Sequence, residues 1–374
     1  MLLHSLLRQL DRGIPLIGVP DVEITGIHED SRLIQRGDLF VARAGTKTDG
    51  RQFLADAAAK GAPAAVVSAP VKSPPLPTIV YPDTNSAASV LANIYHGQPS
   101  HKLKVLGVTG TNGKTTTTYI VRHLLAHLKT RCGMIGTVEI DDGRTKREAR
   151  MTTPGAMEIG SLLASMRDKG CRGAVMEVSS HALDQGRVAG VHFAGAAFTN
   201  LTGDHLDYHK TMEAYADAKA RLFAQLDEGA VAVVNAEDKW AERLLKDCNA
   251  RVIRFGFGKD ADYRARDIVT TSQGTNFVLC TPDGKTEVST GLIGKHNVEN
   301  LLTAAALVGE SFGLSVHQIA AGVKDAQGAP GRLQAVRSGQ PFAVLVDYAH
   351  TDDALENVLS ALRPLTRGTL RVLF

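Results

Sequence analysis

The segment "KVLGVTGTNGKTTTTYIVRHLLAHL" (104–128) constrains the fold of this chain more than any other. Its first part, 104–110, is a short apolar run typical of a buried strand. Residues 115–128 contain no Gly or Pro and carry apolar residues at helical spacing, which predicts a helix. A strand joined to a helix by so short a turn is a unit of an α/β sheet.

Strand and helix patterns alternate through 101–340 in the same way. Further strands are predicted at 173–180 and 193–201, and both end in polar residues. The β-rich, Gly-punctuated segment 262–295 predicts an antiparallel extension. We therefore predict a central doubly wound P-loop domain, in which ligands bind beyond the carboxyl ends of the strands.

Two further domains are predicted on either side of it. Residues 1–100 carry short strand patterns and a helix pattern that ends at glycine, which indicates a small α/β domain. Residues 341–374 are predicted to hold the end of the central domain and, at 369–374, the first strand of a Rossmann-like domain. We expect the chain to be C-terminally truncated, because it stops inside that strand. The N-terminal patterns are a helix at 51–62 and strands at 38–42, 64–68 and 78–82.

The turn between the first strand and helix has the composition of a phosphate-binding loop. Its small residues allow backbone N–H groups to surround a phosphate, and the helix N-terminus adds partial positive charge. Lys114 is predicted to reach the terminal phosphates, and Thr115 to bind Mg²⁺ through its hydroxyl. The motif G-x-x-x-x-G-K-[ST] is not met, because Val108 stands where it requires Gly, so an ordinary Gly-rich turn is the alternative. The predicted nucleotide-binding residues are Gly110, Thr111, Asn112, Gly113, Lys114, Thr115 and Thr116.

The helix pattern at 211–226, "TMEAYADAKARLFAQL", places a lysine in its apolar face. Lys219 follows Tyr215 by four residues and precedes Leu222 by three, which is the spacing of one helical face. Such a lysine either extends its amine to water or stays buried. Burial would lower the pKa of the amine and leave it neutral and nucleophilic.

Bulk composition excludes several classes of protein. The net charge of +3 gives no support for a nucleic-acid or membrane-surface partner. The four cysteines are far apart and form no C-x-x-C pair, which argues against a structural zinc site and fits a reducing compartment. The N-terminus does not resemble a signal peptide. We expect a cytoplasmic protein.

The variant "GTNGKTT" (110–116) resembles the phosphate loop of the Mur ligases, ATP-dependent enzymes that form amide bonds in bacterial peptidoglycan synthesis. The resemblance continues along nearly the whole chain, and the matching segments follow in the order found in the family. Together they resemble the segments of the members that add the third residue of the peptide. The segments are "DSR" (30–32), "GDLFVA" (37–42), "TTP" (152–154), "MEVSSHAL" (176–183), "TNLTGDHLDYH" (199–209), "HNVENLLTA" (296–304), "GRLQ" (331–334) and "DYAHTDDAL" (347–355).

This resemblance implies a two-step reaction that uses ATP and Mg²⁺. A carboxylate of UDP-N-acetylmuramoyl-L-alanyl-D-glutamate attacks the γ-phosphate and gives an acyl phosphate and ADP. The amine of a diamino acid, meso-2,6-diaminopimelate or L-lysine, then displaces phosphate. The partners would be small molecules, the protein a monomer, and its role in cell-wall biogenesis, cell shape and division. The domain that selects the amino acid in this family is expected beyond residue 374, which leaves the acceptor open.

The resemblance also implies the roles of individual residues. Glu177 would bind Mg²⁺ beside Thr115, with a helix cap or a surface carboxylate as the alternative. His205 and a carbamylated Lys219 would bind a second Mg²⁺ and, with Lys114, would form the catalytic set. A structural histidine is the alternative for His205.

Substrate and nucleotide contacts are implied in the same way, although the family often has His where this chain has Thr46 and Pro where it has Asp352. An N-cap for Asn297 and a surface arginine for Arg187 are the alternatives. The implied uridine-nucleotide contacts are Ser31, Thr46, Lys47 and Thr48. The implied muramoyl-dipeptide contacts are Thr152, Thr153, Ser179, Gln185 and Arg187. The implied ATP contacts beyond the loop are Asn297, Asn300, Arg332, Asp347 and His350.

Three other interpretations remain open from the sequence. One is another ligase of the superfamily, such as MurF or a folylpolyglutamate synthase; the first lacks "EVSSHAL" and the second lacks the N-terminal motifs. Another is a non-catalytic fragment that binds ATP and a UDP-sugar. The last is a simple P-loop phosphotransferase, whose turnover would not depend on a UDP-muramoyl peptide.

Overall fold

A computed structural model describes residues 1–45, 48–271, 273–336, 338–350 and 352–373. Thr46 and Lys47, predicted to contact the uridine nucleotide, lie outside the described residues. The chain divides into two compact units. The N-terminal unit comprises Met1–Leu103, Pro154–Asp168 and His181–His192, and the central unit comprises Lys104–Thr153, Lys169–Ser180 and Phe193–Phe374.

The helices and strands are numbered in chain order. The helices are α1 (Leu3–Leu10), α2 (Leu54–Ala59), α3 (Thr84–Tyr95), α4 (Lys114–His127), α5 (Ala156–Asp168), α6 (Ser180–Asp184), α7 (Leu206–His209), α8 (Met212–Ala224), α9 (Ala241–Leu244), α10 (Lys295–Phe312), α11 (Val316–Val323) and α12 (Asp352–Leu362). The strands are β1 (Ile27–His28), β2 (Leu39–Ala42), β3 (Ala65–Val67), β4 (Thr78–Val80), β5 (Lys104–Thr109), β6 (Cys132–Ile135), β7 (Glu139–Asp141), β8 (Lys146–Glu148), β9 (Gly173–Glu177), β10 (Gly195–Phe198), β11 (Val231–Asn235), β12 (Arg251–Gly256), β13 (Tyr263–Thr271), β14 (Gly274–Thr281), β15 (Gly284–Thr290), β16 (Gln334–Val336) and β17 (Val344–Val346).

The N-terminal unit is built on a parallel sheet in the order β1-β2-β3-β4. The strands predicted at 38–42, 64–68 and 78–82 are confirmed as β2, β3 and β4. The apolar face of α1 is buried in the core of this unit, with Leu3, Leu6 and Leu7 each 0% exposed. Helix α3 packs against both α1 and α5. The unit therefore includes a helix from its second stretch of chain, which begins some fifty residues after the first stretch ends at Leu103.

The central unit is built on a sheet in the order β15-β14-β13-β12-β11-β10-β5-β9-β6-β7-β8. The strands from β13 to β6 run parallel, and β14, β15, β7 and β8 add antiparallel pairs at the two edges. The predicted doubly wound sheet and its antiparallel extension at 262–295 are confirmed. Strand β5 lies in the middle, and its residues Val105, Leu106 and Val108 are 0% exposed, as expected of a parallel strand covered on both faces.

Helices cover both faces of this sheet. Helix α10 packs on α4, β10 and β11, on the face to which Leu106 and Val108 contribute. On the opposite face, a Cβ added to Gly107 would contact Phe193 and Leu222 of α8. The phosphate loop after β5 therefore lies between α4 on one face and α8 on the other.

Residues beyond 330 form smaller elements. Strands β16 and β17 pair antiparallel, and α12 follows at the predicted Asp352. The strand predicted at 369–374 was wrong for 369–373, which take no strand geometry. A strand requires a neighbour to receive its backbone hydrogen bonds, and the described residues offer none at this place. No helix among the described residues combines the length and apolar character needed to cross a membrane.

Candidate functional site

Two glycines give the phosphate loop its path. Gly113 has φ +87° and Gly110 has φ +149°, a region in which L side chains are rare. A Cβ on Gly110 would lie 1.9 Å from Oγ1 of Thr199, and one on Gly113 would lie 2.3 Å from Oδ1 of Asn300. The loop can therefore lie against these two side chains only because both positions are glycine.

Residues after β10 hold the loop backbone. The N–H of Thr111 donates to the backbone carbonyl of Asn200 (2.8 Å), and the N–H of Asn112 donates to the side-chain oxygen of Asn200 (3.0 Å). The hydroxyl of Thr199 donates to the carbonyl of Asn112 at 2.6 Å. Asn200 was not predicted as a site residue; its only signal is that the strand pattern at 193–201 ends in polar residues.

Two lysines meet at one carbonyl oxygen below the loop. Nζ of Lys114 donates to the carbonyls of Gly110 (2.9 Å) and Thr111 (2.7 Å), and Nζ of Lys219 donates to the same Gly110 oxygen at 2.9 Å. Lys219 is only 1% exposed, so its side chain does not reach water. Burial lowers the pKa of both amines, and the neighbouring charge of Lys114 lowers the pKa of Lys219 further, well below 10.5.

Glu177 is a buried acceptor at the end of β9, the neighbour of β5. Its side chain is 0% exposed. One carboxylate oxygen accepts from the Thr115 hydroxyl (2.9 Å) and the Thr137 hydroxyl (3.0 Å), and the other accepts from the N–H of Thr137 at 2.7 Å. Glu177 is therefore neither a surface carboxylate nor a helix cap. Thr137 was not predicted, because it is far from every motif in sequence.

The Thr115–Glu177 pair fits a magnesium nucleotide. A hydroxyl and a carboxylate are hard oxygen ligands, and Mg²⁺ is commonly held by one or two such protein groups together with substrate phosphates. The pair lies at the N-terminus of α4, next to the amine of Lys114. Among the described residues, no group of three or more His, Cys, Asp or Glu side chains could hold a metal by itself.

Three residues predicted to contact the muramoyl dipeptide lie beside Glu177. The hydroxyl of Thr153 donates to the carbonyl of Glu177 at 2.9 Å and accepts from the N–H of Ser179 at 3.0 Å. The hydroxyl of Thr152 lies 3.1 Å from that of Thr137, which itself binds Glu177. The motifs "TTP" and "EVSS" are thus joined at the buried carboxylate.

These groups border a cavity of about 530 Å³ in the central unit. His205 lies at its rim with a side chain 44% exposed. Lys219 is not one of the residues that line the cavity, so the structure places this predicted ligand beneath the loop. The lining comprises Thr111, Asn112, Gly113, Lys114, Thr115, Thr116, Thr137, Thr152, Glu177, Thr199, Asn200, Thr202, Asp204, His205, Asn235, Glu237, Asp238, His296, Asn297, Glu299, Asn300, Thr303, Arg332, Leu333, Asp347, Tyr348, Ala349, His350, Ala354 and Val358.

The predicted adenine and far-wall residues also line this cavity. The Asn300 amide donates to Oδ1 of Asn297 (3.3 Å), and its oxygen accepts from Thr117, so Asn300 supports the loop from α10. Asn297 donates to the carbonyl of Ile293 at 2.8 Å, a turn earlier in the chain. His296 was not predicted; burial lowers the pKa of its imidazole.

The far wall of the cavity is formed by residues 332–350. The guanidinium of Arg332 lies 4.5 Å from the centre of the Tyr348 ring. Asp347 accepts from the N–H groups of Leu333 (2.6 Å) and Ala349 (2.7 Å). His350 is exposed, and its Nδ1 lies 2.8 Å from the carbonyl of Tyr348.

The remaining predicted substrate residues belong to the N-terminal unit. Ser31 is buried, with its carbonyl accepting from Lys60, and Thr48 is exposed. The guanidinium of Arg187 donates twice to Oε1 of Gln185, at 3.0 and 2.6 Å. The Gln185 carbonyl in turn accepts from Arg43, a residue not predicted for any role.

Comparison with known proteins relates segments of both units to one protein family. Residues 23–99 match "Mur ligase family, catalytic domain", and residues 108–308 match "Mur ligase middle domain". The chain is 42% identical over 374 residues to UDP-N-acetylmuramoyl-L-alanyl-D-glutamate–2,6-diaminopimelate ligase of Bacillus cereus, covering 98% of this chain and 76% of that protein. It is 43% identical to the protein of that name from Gloeobacter violaceus, covering 100% and 76%.

Solved structures of enzymes from this family also resemble the chain. A UDP-N-acetylmuramoyl-L-alanyl-D-glutamate–2,6-diaminopimelate ligase superposes with a TM-score of 0.77 at 33% identity, over 91% of this chain and 70% of that one. MurF from Acinetobacter baumannii superposes with a TM-score of 0.67 at 26% identity, over 96% and 76%. The chain belongs to the Mur ligase family.

Proposed function

We propose that the chain is a MurE-type ligase, which uses ATP to join meso-2,6-diaminopimelate to the D-glutamate carboxylate of UDP-N-acetylmuramoyl-L-alanyl-D-glutamate in peptidoglycan synthesis. The observation that carries the proposal is the buried Thr115–Glu177 pair, 2.9 Å apart at the end of the phosphate loop. The names of the relatives favour diaminopimelate over L-lysine as the acceptor.

The residues of the loop would bind and orient the nucleotide. Backbone N–H groups of 110–116 and the N-terminus of α4 favour the negative phosphates, and Lys114 adds a cation beside the γ-phosphate. Thr115 and Glu177 would hold Mg²⁺, which when bound neutralises charge on the transferring phosphoryl group. The substrate carboxylate would attack that phosphoryl group to give an acyl phosphate, and the amine of the amino acid would then displace phosphate.

Lys219 is proposed to act as a carbamate. Burial lowers the pKa of its amine well below the ordinary 10.5 and so favours the neutral form, whose nitrogen can form a bond to the carbon of CO₂ while a proton leaves to solvent. The product is an anion. The amines of Lys219 and Lys114 share the Gly110 oxygen, so a carbamate on Lys219 would place an anion beside the amine of Lys114. With His205, this anion would hold a second Mg²⁺.

The other predicted residues keep their proposed roles. The muramoyl dipeptide would contact Thr152, Thr153, Ser179, Gln185 and Arg187, and the uridine nucleotide would contact Ser31 and Thr48. The adenine of ATP would contact Asn297 and Asn300, and the far wall of the ATP site would be formed by Arg332, Asp347 and His350. All substrates are small molecules. We propose that the protein acts as a monomer in the cytoplasm, where ATP is available.

Measurement of ADP release tests this function. The chain is supplied with ATP, Mg²⁺ and the UDP-muramoyl dipeptide, with diaminopimelate, with L-lysine or with neither. Release that rises with diaminopimelate is expected; release that rises only with L-lysine would correct the acceptor. Turnover that is indifferent to the UDP-muramoyl dipeptide would contradict the proposed function and favour a simple phosphotransferase.

Chemical rescue tests the carbamate. Lys219→Ala should lose activity and recover part of it with a short carboxylic acid, which can occupy the vacated space as an anion. Lys219→Arg is the control, because it fills the space with a cation and leaves no room for the acid. A folded Lys219→Ala variant that no carboxylic acid rescues would count against the carbamate.

A further inference from the structure

Tyr215 lies between the two groups proposed to hold the second Mg²⁺. It occupies α8 one turn before Lys219 and is 1% exposed. No motif singled it out as functional, because an aromatic residue in an apolar helix face is ordinarily core. It nevertheless contacts several polar groups of the site.

Three groups of the site contact the Tyr215 side chain. Nζ of Lys219 lies over its ring, 4.4 Å from the centroid. The imidazole of His205 meets it edge-on, with centroids 6.1 Å apart and an angle of 86°. Its hydroxyl lies 3.3 Å from the hydroxyl of Thr111 in the phosphate loop. One side chain therefore links both predicted ligands to the loop.

The ring itself is held from its other side. His209 stacks on it at 5.0 Å with an angle of 27°, and Nε2 of His209 lies 2.9 Å from the hydroxyl of Ser180, the residue after Ser179. His209 is 8% exposed, so this stack is buried. Stacked and edge-on aromatic contacts at these separations are attractive and directional. The Tyr215 ring is thus in contact with Lys219, His205 and His209.

The hydroxyl of Tyr215 remains a neutral hydrogen-bonding group. Its partner is the Thr111 hydroxyl, which is itself uncharged. A neutral hydroxyl can donate to or accept from Thr111 without adding charge beside two lysines. The function of the side chain is therefore geometric.

We propose that Tyr215 is a positioning residue for the ligase reaction: its ring fixes Lys219 and His205 relative to the phosphate loop. This inference rests on the proposed function, in which those two residues act on the magnesium nucleotide. Without the ring, the long Lys219 side chain loses the surface that directs its amine to the Gly110 oxygen, and His205 loses its edge-on contact with the ring. Misplacement of about 1 Å costs an enzyme on the order of 100-fold in rate.

Two substitutions separate the ring from the hydroxyl. Tyr215→Phe keeps the ring and removes the bond to Thr111, while Tyr215→Leu removes the ring face and keeps an apolar side chain. Leu222→Ala is the matched control, since Leu222 is 0% exposed on the same helix and faces Gly107 rather than the loop. Thermal unfolding of all variants shows how much each loses in stability.

Two measurements are made on each folded variant. The first is the Mg²⁺ concentration that gives half-maximal ADP release. The second is the carbon-13 signal of the Lys219 carbamate after addition of labelled bicarbonate, for which Lys219→Arg supplies the blank. The second does not depend on turnover.

Tyr215→Phe should keep both properties within about twofold of the natural protein, and Tyr215→Leu should raise the Mg²⁺ requirement by ~10-fold or more and reduce the carbamate signal. Leu222→Ala should lower stability and leave both the Mg²⁺ requirement and the carbamate signal unchanged. A Tyr215→Leu variant that keeps the normal Mg²⁺ requirement and carbamate signal would overturn this inference and leave the proposed function unaffected. Absence of any carbamate signal in the natural protein would overturn the proposed role of Lys219 and this inference with it.

Discussion

The two walls of the central cavity are built in opposite ways. On the loop wall, Thr115 and Glu177 are 5% and 0% exposed and bind each other directly. On the far wall, Tyr348 is 57% exposed, and His350 is exposed and contacts the carbonyl and the ring of Tyr348. The loop wall is organised before any ligand arrives, because its polar groups have buried partners. The far wall combines the half-buried Asp347, which accepts two backbone N–H groups, with the exposed side chains of Tyr348 and His350.

This difference should decide what each substitution costs. Removing one partner from a buried, hydrogen-bonded set leaves the other groups unsatisfied, which costs about 1–3 kcal/mol per group. Removing an exposed group leaves water in its place. Substitutions in the loop wall should therefore affect stability and activity together, whereas those in the far wall should affect nucleotide affinity alone.

The largest effect is expected from Glu177→Ala. The substitution removes the predicted magnesium ligand and leaves the hydroxyls of Thr115 and Thr137 without their acceptor, so kcat should fall on the order of 1,000-fold. ADP release and thermal unfolding measure the two consequences. Glu177→Gln is the control, since it preserves the shape and some hydrogen bonds; equal activity of the natural protein and Glu177→Ala would contradict the assigned role.

Gly113→Ala should have the next largest effect. The added Cβ would lie 2.3 Å from Asn300 Oδ1 at a positive φ, so the loop must move and the Kd for ATP should rise on the order of 100-fold. Gly203→Ala is a matched control in the same unit, because nothing lies within 4 Å of its Cβ position. Titration of a fluorescent ATP analogue compares them; equal affinities for both variants would show that the loop tolerates displacement.

Lys219→Met should stabilise the protein at neutral pH while it abolishes activity. Burial lowers the pKa of Lys219 in the folded state well below the ordinary 10.5, so the unfolded chain binds more protons and stability of the natural protein rises with pH between the lowered pKa and 10.5. Methionine removes this cost, with a gain of about 1 kcal/mol. The gain should shrink as pH rises, which thermal unfolding in CO₂-free buffer at several pH values measures. A gain independent of pH would mean that charge is not its source.

The smallest effect is expected from His350→Ala on the far wall. The side chain is exposed, so unfolding should be unchanged and the KM for ATP should rise less than about tenfold. Steady-state kinetics at varied ATP concentration measure this. A loss as large as that of Glu177→Ala would show that the far wall is as organised as the loop wall.

The sequence predicts the loop wall well because its signals are local. The strand–turn–helix unit, the polar strand end at Glu177 and the apolar spacing around Lys219 are all readable within a few residues. Asn200 and Thr137 were not predicted, because their contacts form only when strands that are distant in sequence pair. Asn200 then contacts the loop, and Thr137 contacts Glu177. Asn200 and its loop partner Asn112 are 88 positions apart. The prediction of a strand that is wrong for 369–373 has the same cause, because a strand pattern does not say whether a partner is present.

The N-terminal unit draws on three separate stretches of chain, and this has a consequence for how the protein is made. Helix α3 packs on α5, whose Ile159 and Leu163 are each 1% exposed, and this side of α3 lacks its partner until α5 has been synthesised. On the ribosome, the first hundred residues must therefore wait for about ninety more before their fold is complete. Such long-range contacts raise the contact order and slow folding. For the same reason, a gene fragment that starts at residue 104 would expose the apolar side of α5 and should aggregate rather than yield a separate ATPase module.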